Sequence, residues 1–364
     1  MVIGGTVVDI TATARKDMSV SMLHSSFPGT TRISLGGVGR NVAEAVSKLN
    51  AEGCVFVSAV GGAGAKSEIG DGEQGDTVAD DLFGPWLIGE IDRKGLHNLE
   101  IHQVPGARTA TYTALHDATG NLLSAVADMD VFELLPPTKV KEAIMKHRPK
   151  TVCFDGNISS ECMRTIMETC RDHNIQTFFE PTSVVKCVRP LEESALDALL
   201  DGALNFASPN EYELQKMAIS ARRLISDHKH HVRLRELKDR PVHGGLQDPE
   251  DVAVAITSGD NSAYKSLLLE AFSVSQFIPT LFIKLGAKGV LVFQRTTGAK
   301  LRMAAIVEGS VEEEEEDKRK MPADIEDWTQ SGEIKWKLFP AHDVDSIKSV
   351  TGAGDSGDKL AQFG

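Results

Sequence analysis

Residues 35–49 read LGGVGRNVAEAVSKL, in which three glycines run directly into an amphipathic helix predicted to start near Asn41. Gly36, Gly37 and Gly39 carry no side chains, so backbone amides can approach a ligand at the helix N-terminus, where the helix dipole favours oxygen-rich or anionic groups. The spacing differs from the G-x-G-x-x-G of dinucleotide-binding proteins, which disfavours an oxidoreductase. The stretch predicts either a ligand-binding turn or a tight turn with close helix packing.

A second glycine motif, VTGAGDS, occupies residues 350–356 and follows a strand-like run. If a helix begins at Gly352, three successive backbone amides point at one spot and Asp355 lies beside them in the first turn. Phosphoryl transfer to a hydroxyl needs such an anion hole together with a carboxylate that takes the proton. Taken alone, the motif is also consistent with a simple helix cap.

Between the two glycine motifs, short apolar segments alternate with amphipathic helical stretches. This alternation is typical of an α/β chain with a mainly parallel sheet, and it predicts a three-layer α/β/α domain over residues 1–364. The predicted strands are Val2–Ile10, Val55–Val60, Thr151–Asp155, Thr177–Glu180, Ala203–Ala207 and Leu281–Leu285. The predicted helices are Asn41–Asn50, Val78–Ile91, Glu161–His173 and Glu211–Ile225.

One region breaks this rhythm. Residues 107–130, ARTATYTALHDATGNLLSAVADMD, alternate in side-chain character and predict a β-hairpin that turns at Asp117–Asn121. A second extended segment, Met18–Ser34, follows the first strand and can pair with it. Together these segments predict a small β-sheet lid, built from residues 11–35 and 100–128, that suits closure over a substrate.

The composition favours a globular protein with a small-molecule partner. Of 364 residues, 41% are hydrophobic and 25% charged, and the net charge of −13 disfavours binding to nucleic acid. The five cysteines form no C-x-x-C pair and are expected to be reduced thiols. The absence of a basic leader or a long apolar run predicts a cytoplasmic protein without a membrane segment. Peripheral insertions are predicted at 62–76, 227–248 and 307–327.

GGVGRN at 36–41 and TGAGDS at 351–356 resemble, in this order and at this separation, the two signature motifs of the PfkB (ribokinase-like) carbohydrate kinases. Within that family, FDGNIS at 154–159, FFEPTSVVKCV at 178–188 and SPNEYEL at 208–214 resemble the pseudouridine kinases. The resemblance implies an α/β ribokinase-like fold and ATP-dependent phosphorylation of a nucleoside, above all pseudouridine, at its 5′-hydroxyl by direct in-line transfer. It also implies Mg²⁺ with ATP as co-substrate, and it leaves a requirement for K⁺ open.

The resemblance assigns roles to individual residues as well. Asp355 matches the catalytic base. The family's anion hole corresponds to Gly352, Ala353 and Gly354, and its sugar-hydroxyl site corresponds to Asp9, Gly36, Gly37 and Asn41. Its nucleotide site corresponds to Asn210, Glu213, Lys284, Gly286 and Gly289. Within that site, the resemblance implies that Asn210 and Glu213 organise magnesium through water. Two further residues are not assigned by the resemblance, and their side-chain chemistry leaves alternatives open: Asp128 contacts the base or ribose or is solvated, and Lys186 contacts a phosphate or packs with its charged end in solvent.

Several alternatives stay open. Ribose or adenosine is the nearest other acceptor, because the same hydroxyl-binding residues serve many polyols. Only SGDKLAQFG follows Asp355, which predicts a C-terminally truncated chain with an incomplete nucleotide site. A non-catalytic fragment of a bifunctional protein that also carries a pseudouridine-phosphate glycosidase is therefore a further alternative. The resemblance also leaves open a homodimer formed through the lid.

Overall fold

A computed structural model describes residues 1–15, 26, 28–49, 53–63, 81–226, 234, 264–295, 329–331 and 334–341. These residues fall into two compact units, one within residues 1–205 and the other within 206–344. The predicted insertions at 62–76, 227–248 and 307–327 lie almost entirely outside the described residues.

The first unit contains nine strands and five helices among its described residues. In chain order they are β1 (Val2–Ile3), β2 (Val7–Ala14), β3 (Gly29–Gly36), α1 (Val38–Leu49), β4 (Phe56–Gly62), α2 (Phe83–Arg93), β5 (Leu99–Pro105), β6 (Thr111–His116), β7 (Leu122–Asp128), α3 (Pro137–His147), β8 (Thr151–Asp155), α4 (Ser160–Asp172), β9 (Gln176–Glu180) and α5 (Glu193–Leu200). Two short 3₁₀ helices cover Asp130–Leu134 and Arg189–Leu191.

The larger sheet of this unit is parallel, with strand order β9-β8-β1-β4-β5. Every residue of β4 is buried, as expected for a strand of a parallel sheet that is covered on both faces. Helix α1 packs on β1 and β4, and α4 packs on β8 and β9. Ser159 caps α4 by accepting a hydrogen bond from Cys162 N. The buried residues of α4 follow the helical period: Cys162, Met163, Ile166, Met167 and Cys170.

The smaller sheet has strand order β3-β2-β6-β7. Strand β2 pairs antiparallel with β3 and parallel with β6, and β6 pairs antiparallel with β7. The predicted hairpin is present: the carboxylate of Asp117 accepts backbone hydrogen bonds from Thr119 and Asn121, and Gly120 has a φ of +93°. The side chain of Asp117 thereby fixes the turn that joins β6 to β7.

One predicted strand and one boundary of the predicted lid are wrong. Val2–Ile10 is not one strand, because the chain leaves the parallel sheet after Ile3 and enters the smaller sheet at Val7. At this break the backbone of Gly4 is so close to Asp155 that a Cβ would lie 2.5 Å from the carboxyl carbon. Residues Leu99–Pro105, which overlap the predicted lid, form an edge strand of the parallel sheet and pack Leu99 and Ile101 on the core.

The hydrophobic core of the first unit links the two sheets. Val8 of β2, Phe56 and Val60 of β4, and Leu87 and Ile91 of α2 are all buried in one cluster. Partly buried Ile10 and Leu35 of the smaller sheet pack against the same cluster. The root of the smaller sheet is therefore anchored in the core, whereas its tip at residues 118–120 is exposed.

The strands of the second unit are arranged in the order β13-β14-β12-β11-β10. Its elements are β10 (Phe206–Ala207), α6 (Glu211–Ser226), α7 (Lys265–Ser275), β11 (Thr280–Lys284), β12 (Val290–Arg295), β13 (Thr329–Ser331) and β14 (Ile334–Phe339). Strands β10 and β11 are parallel, and the pairings from β11 to β12, β12 to β14 and β14 to β13 are antiparallel. Helices α6 and α7 pack together.

The predicted strand Ala203–Ala207 is reduced to the two residues of β10. Just before it, the hydroxyl of Thr177 donates to the carbonyl of Ala203 and accepts from the amide of Asn205, so side-chain bonds replace ladder bonds there. None of the helices in the described ranges is long and apolar enough to cross a membrane.

Candidate functional site

Asp9 and Gly36 meet where the smaller sheet reaches the first turn of α1. Strands β2 and β3 pair Val7 with Gly36 and Asp9 with Ser34. The half-buried Asp9 carboxylate lies against the Cα of Gly36, and a Cβ at that position would overlap the carboxyl carbon and both oxygens. Burial raises the pKa of Asp9, and the charge of Arg40 opposes this shift. Only glycine leaves room for this carboxylate.

The other two glycines of the motif serve close packing. Gly37 has a φ of +95°, and a Cβ there would lie 2.7 Å from the Cα of Thr6. A Cβ on Gly39 would lie 2.8 Å from the Cα of Gly4. The first turn of α1, which begins at Val38, therefore rests directly on the backbone that joins β1 to β2. Of the two interpretations of the motif, packing accounts for these two glycines, whereas Gly36 faces the carboxylate of Asp9.

Arg40 organises this turn, and the sequence analysis missed it. The residue is 8% exposed, and its guanidinium donates to the carbonyl oxygens of Leu35 (3.1 Å) and Gly36 (3.3 Å). It also donates to Asn41 Oδ1 and forms an ion pair with Glu44. This bond engages the amide oxygen of half-buried Asn41 and leaves its amide nitrogen Nδ2 outside the contact. The i,i+4 spacing of Arg40 and Glu44 was the available sequence signal.

Asp155 at the end of β8 is a second residue that the sequence analysis did not single out. It is 1% exposed, and its Oδ2 accepts hydrogen bonds from Gly5 N and Gly39 N, both at 2.8 Å. Asn157 donates from its backbone to Oδ1 and from its side chain to Oδ2, both at 2.9 Å. Burial raises the pKa of Asp155, and these hydrogen bonds oppose the shift. Asp155 thus ties α1, the β1–β2 connection and β8 together.

Replacing Asp155 with Asn should lower the free energy of unfolding by about 1–3 kcal/mol, because the new amide group would face backbone donors that need an acceptor. Urea denaturation measures this change. Asp172→Asn, at the exposed C-terminus of α4, is the matched control and should stay within about 0.5 kcal/mol of the wild type. Equal stabilities for the two variants would contradict the anchoring role of Asp155.

Asp128 lies at the end of β7, opposite Thr111 of β6, and forms an ion pair with Arg108 at 3.0 Å. Strand β6 separates it from Asp9. The neighbour of Asp9 on β6 is instead Tyr112, which pairs with it in register. Burial raises the pKa of Tyr112, and the charge of Asp9 raises it further. Tyr112 is therefore a better placed neighbour of the carboxylate than Asp128, and the sequence analysis missed it.

In the second unit, Asn210 and Glu213 begin α6 as a reciprocal cap. Asn210 N donates to Glu213 Oε2 at 2.9 Å, and Glu213 N donates to Asn210 Oδ1 at 2.8 Å. Both residues are buried, and Lys284 N donates to the adjacent carbonyl of Pro209 at 2.9 Å. Asn210 Oδ1 and Glu213 Oε2 are thus each bonded to a backbone amide. No cluster of three or more His, Cys, Asp or Glu in the described ranges has the arrangement of a metal site.

Gly286 and Gly289 shape the turn between β11 and β12. Their φ angles are +57° and +104°, and Leu285 N donates to Gly289 O at 2.8 Å. A Cβ on Gly289 would collide with the carbonyl oxygen of Phe339. The predicted nucleotide-site residues Lys284, Gly286 and Gly289 are thus gathered at one end of β11. Gly352, Ala353, Gly354 and Asp355 lie outside the described residues.

Comparison with curated proteins gives two informative relatives, although no protein-family model matches the chain. The chain is 27% identical to the pseudouridine kinase of Escherichia coli (strain K12) over 194 residues, which are 52% of this chain and 53% of that protein. It is 25% identical to a pseudouridine-metabolizing bifunctional protein of Schizosaccharomyces pombe over 290 residues, which are 80% of this chain and 35% of that protein. The matches thus span about half and about a third of these relatives.

Solved structures show the same architecture. The ribokinase of Cryptococcus neoformans in complex with ADP has a TM-score of 0.53 at 15% identity, over 100% of this chain and 84% of that chain. The ribokinase of Thermotoga maritima has a TM-score of 0.51 at 16% identity, over 98% of this chain and 82% of that chain. The chain therefore has the ribokinase-like α/β fold. The resemblance to PfkB kinases, and within them to the pseudouridine kinases, is confirmed.

Proposed function

We propose that the chain is an ATP-dependent kinase of the PfkB type that phosphorylates the 5′-hydroxyl of a nucleoside, with pseudouridine as acceptor. The observation that carries the proposal is the half-buried Asp9 carboxylate held against Gly36 at the start of α1. A carboxylate accepts hydrogen bonds from the hydroxyls of a ribosyl group, and Asn41 Nδ2 adds a donor. Similarity to pseudouridine kinases supports the choice of nucleoside, and the ADP complex of a ribokinase with this fold supports the nucleotide.

In the proposed reaction, the 5′-oxygen attacks the γ-phosphorus of ATP in line, and ADP leaves with the electrons of the broken P–O bond. Asp355 accepts the 5′-hydroxyl proton, and the amides of Gly352, Ala353 and Gly354 donate to the charged phosphoryl oxygens. These four roles come from the resemblance. Mg²⁺ belongs to the proposal as an ion that would arrive with ATP, held by the phosphates together with water and few protein groups.

A homodimer through the smaller sheet is also part of the proposal. Ile33, Ile10, Thr113 and Val126 stand in register across its four strands and therefore share one face. Ile33 is 51% exposed and Val126 is 69% exposed, so the outer strands present apolar side chains to solvent. The similarity to a bifunctional protein makes a glycosidase of pseudouridine phosphate, fused or separate, the partner to look for.

Acceptor specificity is tested by isothermal titration of the purified chain with pseudouridine, uridine, adenosine and ribose. Uridine is the matched ligand, because it carries the same ribose and differs in how the base is attached. We expect pseudouridine to bind at least about tenfold more tightly than each of the others. A site that accepts a hydrogen bond from an extra donor on the base rejects ligands that lack this donor. Tighter binding of ribose or adenosine would contradict the proposed acceptor.

Replacing Gly36 with Ala should weaken pseudouridine binding by about a hundredfold, because the new methyl group would displace the Asp9 carboxylate by roughly 1 Å. Gly89→Ala is the control: Gly89 is exposed in α2, and nothing lies within 4 Å of a Cβ built there. Titration and thermal unfolding of both variants separate binding from stability. Normal affinity of a folded Gly36→Ala variant would show that Asp9 does not bind the acceptor.

A further inference from the structure

Lys186, in the loop after β9, is a half-buried cation without a carboxylate partner among the described residues. Its Nζ donates to the amide oxygen of Asn157 at 2.7 Å. An ammonium group has three donors, and an amide oxygen carries no net charge to balance it. Arg189, in the same loop, contrasts with it: its guanidinium donates to the carbonyls of Asn157 and Ile158 and pairs with Glu133. Arg189 thus spends its donors on protein groups, whereas Lys186 has ammonium donors beyond its bond to Asn157.

The loop that carries Lys186 is built to hold it in place. Thr182 has a φ of +72°, a backbone conformation that β-branched residues rarely adopt. Such strained conformations cluster at functional sites. Gly156 N donates to Thr182 Oγ1 and to Glu180 O, both at 2.9 Å. A Cβ on Gly156 would collide with the carbonyl of Pro181 and lie 3.1 Å from the Cβ of Lys186. The backbone thus brings the stem of Lys186 against the end of β8.

Three hydrogen bonds connect Lys186 to the first turn of α1. Lys186 bonds to Asn157, and Asn157 Nδ2 bonds to Asp155 Oδ2. The same Asp155 oxygen accepts the amide of Gly39 in the first turn of α1. Asp155 ends β8, and Asn157 and Lys186 follow the carboxyl ends of the parallel strands β8 and β9, which is the edge where open α/β sheets bind their ligands. Burial lowers the pKa of Lys186, and the negative charge of Asp155 opposes this shift.

We propose that Lys186 binds an anionic phosphoryl oxygen, both of the group in transfer and of the nucleoside monophosphate product. This inference rests on the proposed function and adds a residue to it. During transfer the bond from the acceptor oxygen to phosphorus forms, the bond from phosphorus to the ADP oxygen breaks, and Lys186 keeps its protons throughout. Lysine is a common phosphate ligand as a point charge. The competing role is purely structural, as a counter-ion for the buried Asp155.

The test compares Lys186→Met, which keeps the length of the side chain and removes its charge, with Lys141→Met, an exposed lysine of α3. We expect Lys186→Met to bind pseudouridine within about twofold of the wild type and to bind pseudouridine 5′-monophosphate at least about tenfold more weakly. Its kcat should fall by about a hundredfold or more. Lys141→Met should match the wild type in all three. Equal weakening of nucleoside and monophosphate, or no weakening, would overturn the proposal.

Two further measurements keep the outcome decisive. If the wild type does not phosphorylate pseudouridine, the proposed function fails, and inorganic phosphate then tests Lys186 by itself: phosphate should raise the Tm of the wild type and not that of Lys186→Met, and equal shifts would refute the phosphoryl contact. If Lys186→Met does not fold, Lys186→Gln, which also removes the charge, takes its place. Retained nucleoside affinity with reduced kcat in that variant would support the contact, and unchanged kcat would refute it.

Discussion

Replacing Asp355 with Asn should lower kcat by about a thousandfold or more while pseudouridine binding stays within about twofold of the wild type. The reason is that an amide cannot take the proton of the 5′-hydroxyl, although it has nearly the shape of the carboxylate. Initial-rate measurement of ADP formation gives kcat, and titration without ATP gives the affinity. The separation of the two quantities is what distinguishes a base from a binding residue.

Asp358→Asn is the control for this experiment, because it makes the same change three residues further along the chain. It should leave kcat within about threefold of the wild type. Comparable losses in both variants would indicate general damage to this segment. Near-normal turnover of Asp355→Asn would remove Asp355 from the catalytic role that the resemblance gives it.

Replacing Asp9 with Asn should reduce kcat/KM for pseudouridine by about a hundredfold or more, mainly through KM. Asn can accept only through one oxygen and carries no charge, so hydrogen bonds from ribosyl hydroxyls lose their charge-assisted partner. Asp92→Asn on α2 controls for the loss of a carboxylate elsewhere in the unit. A KM for Asp9→Asn equal to that of the wild type would exclude Asp9 from acceptor binding.

The pH dependence of KM gives an independent check on Asp9. Its pKa is raised by burial, so the carboxylate protonates at a higher pH than an ordinary aspartate as the solution is acidified. Acceptor binding needs the ionised form, and KM should therefore rise as the pH falls through this raised pKa. In Asp9→Asn this acid limb should be absent, leaving a KM that is high and flat. An identical acid limb in both proteins would assign it to another group.

The sequence predicted the elements of the fold well where local patterns decide them. Strand β8 lies at Thr151–Asp155 as predicted, because a run this short that contains β-branched and aromatic residues favours a strand over a helix. The hairpin turn at Asp117–Asn121 was equally readable, since Asp and Gly have well-defined turn roles. The break at Gly4–Thr6 was not, because it depends on the close approach of Asp155, 150 residues away in sequence.

The residues of the candidate site also differ in how far the sequence could predict them. Glycine motifs indicated Gly36 and Asn41, but only the fold shows that Gly36 makes room for Asp9 while Gly37 and Gly39 pack on the backbone of β1–β2. Arg40 was missed because its role is to orient a neighbouring amide, which residue type alone does not reveal.

Asp155 and Lys186 show the same limit over longer distances. The bond from Gly39 to Asp155 joins residues 116 apart, and the bond from Lys186 to Asn157 joins residues 29 apart. No local pattern encodes such contacts, since tertiary packing creates them. The pair Asn210 and Glu213 is the opposite case: its i,i+3 spacing was open to interpretation as a reciprocal helix cap, which is the arrangement in the structure.

The most direct test of the central claim is identification of the product. The purified chain is incubated with ATP, Mg²⁺ and pseudouridine, and the nucleoside fraction is analysed by mass spectrometry and ³¹P NMR. We expect one ADP per pseudouridine 5′-monophosphate, with a phosphorus signal coupled to the two 5′-protons. ADP without a phosphorylated nucleoside, or phosphate on a different hydroxyl, would contradict it.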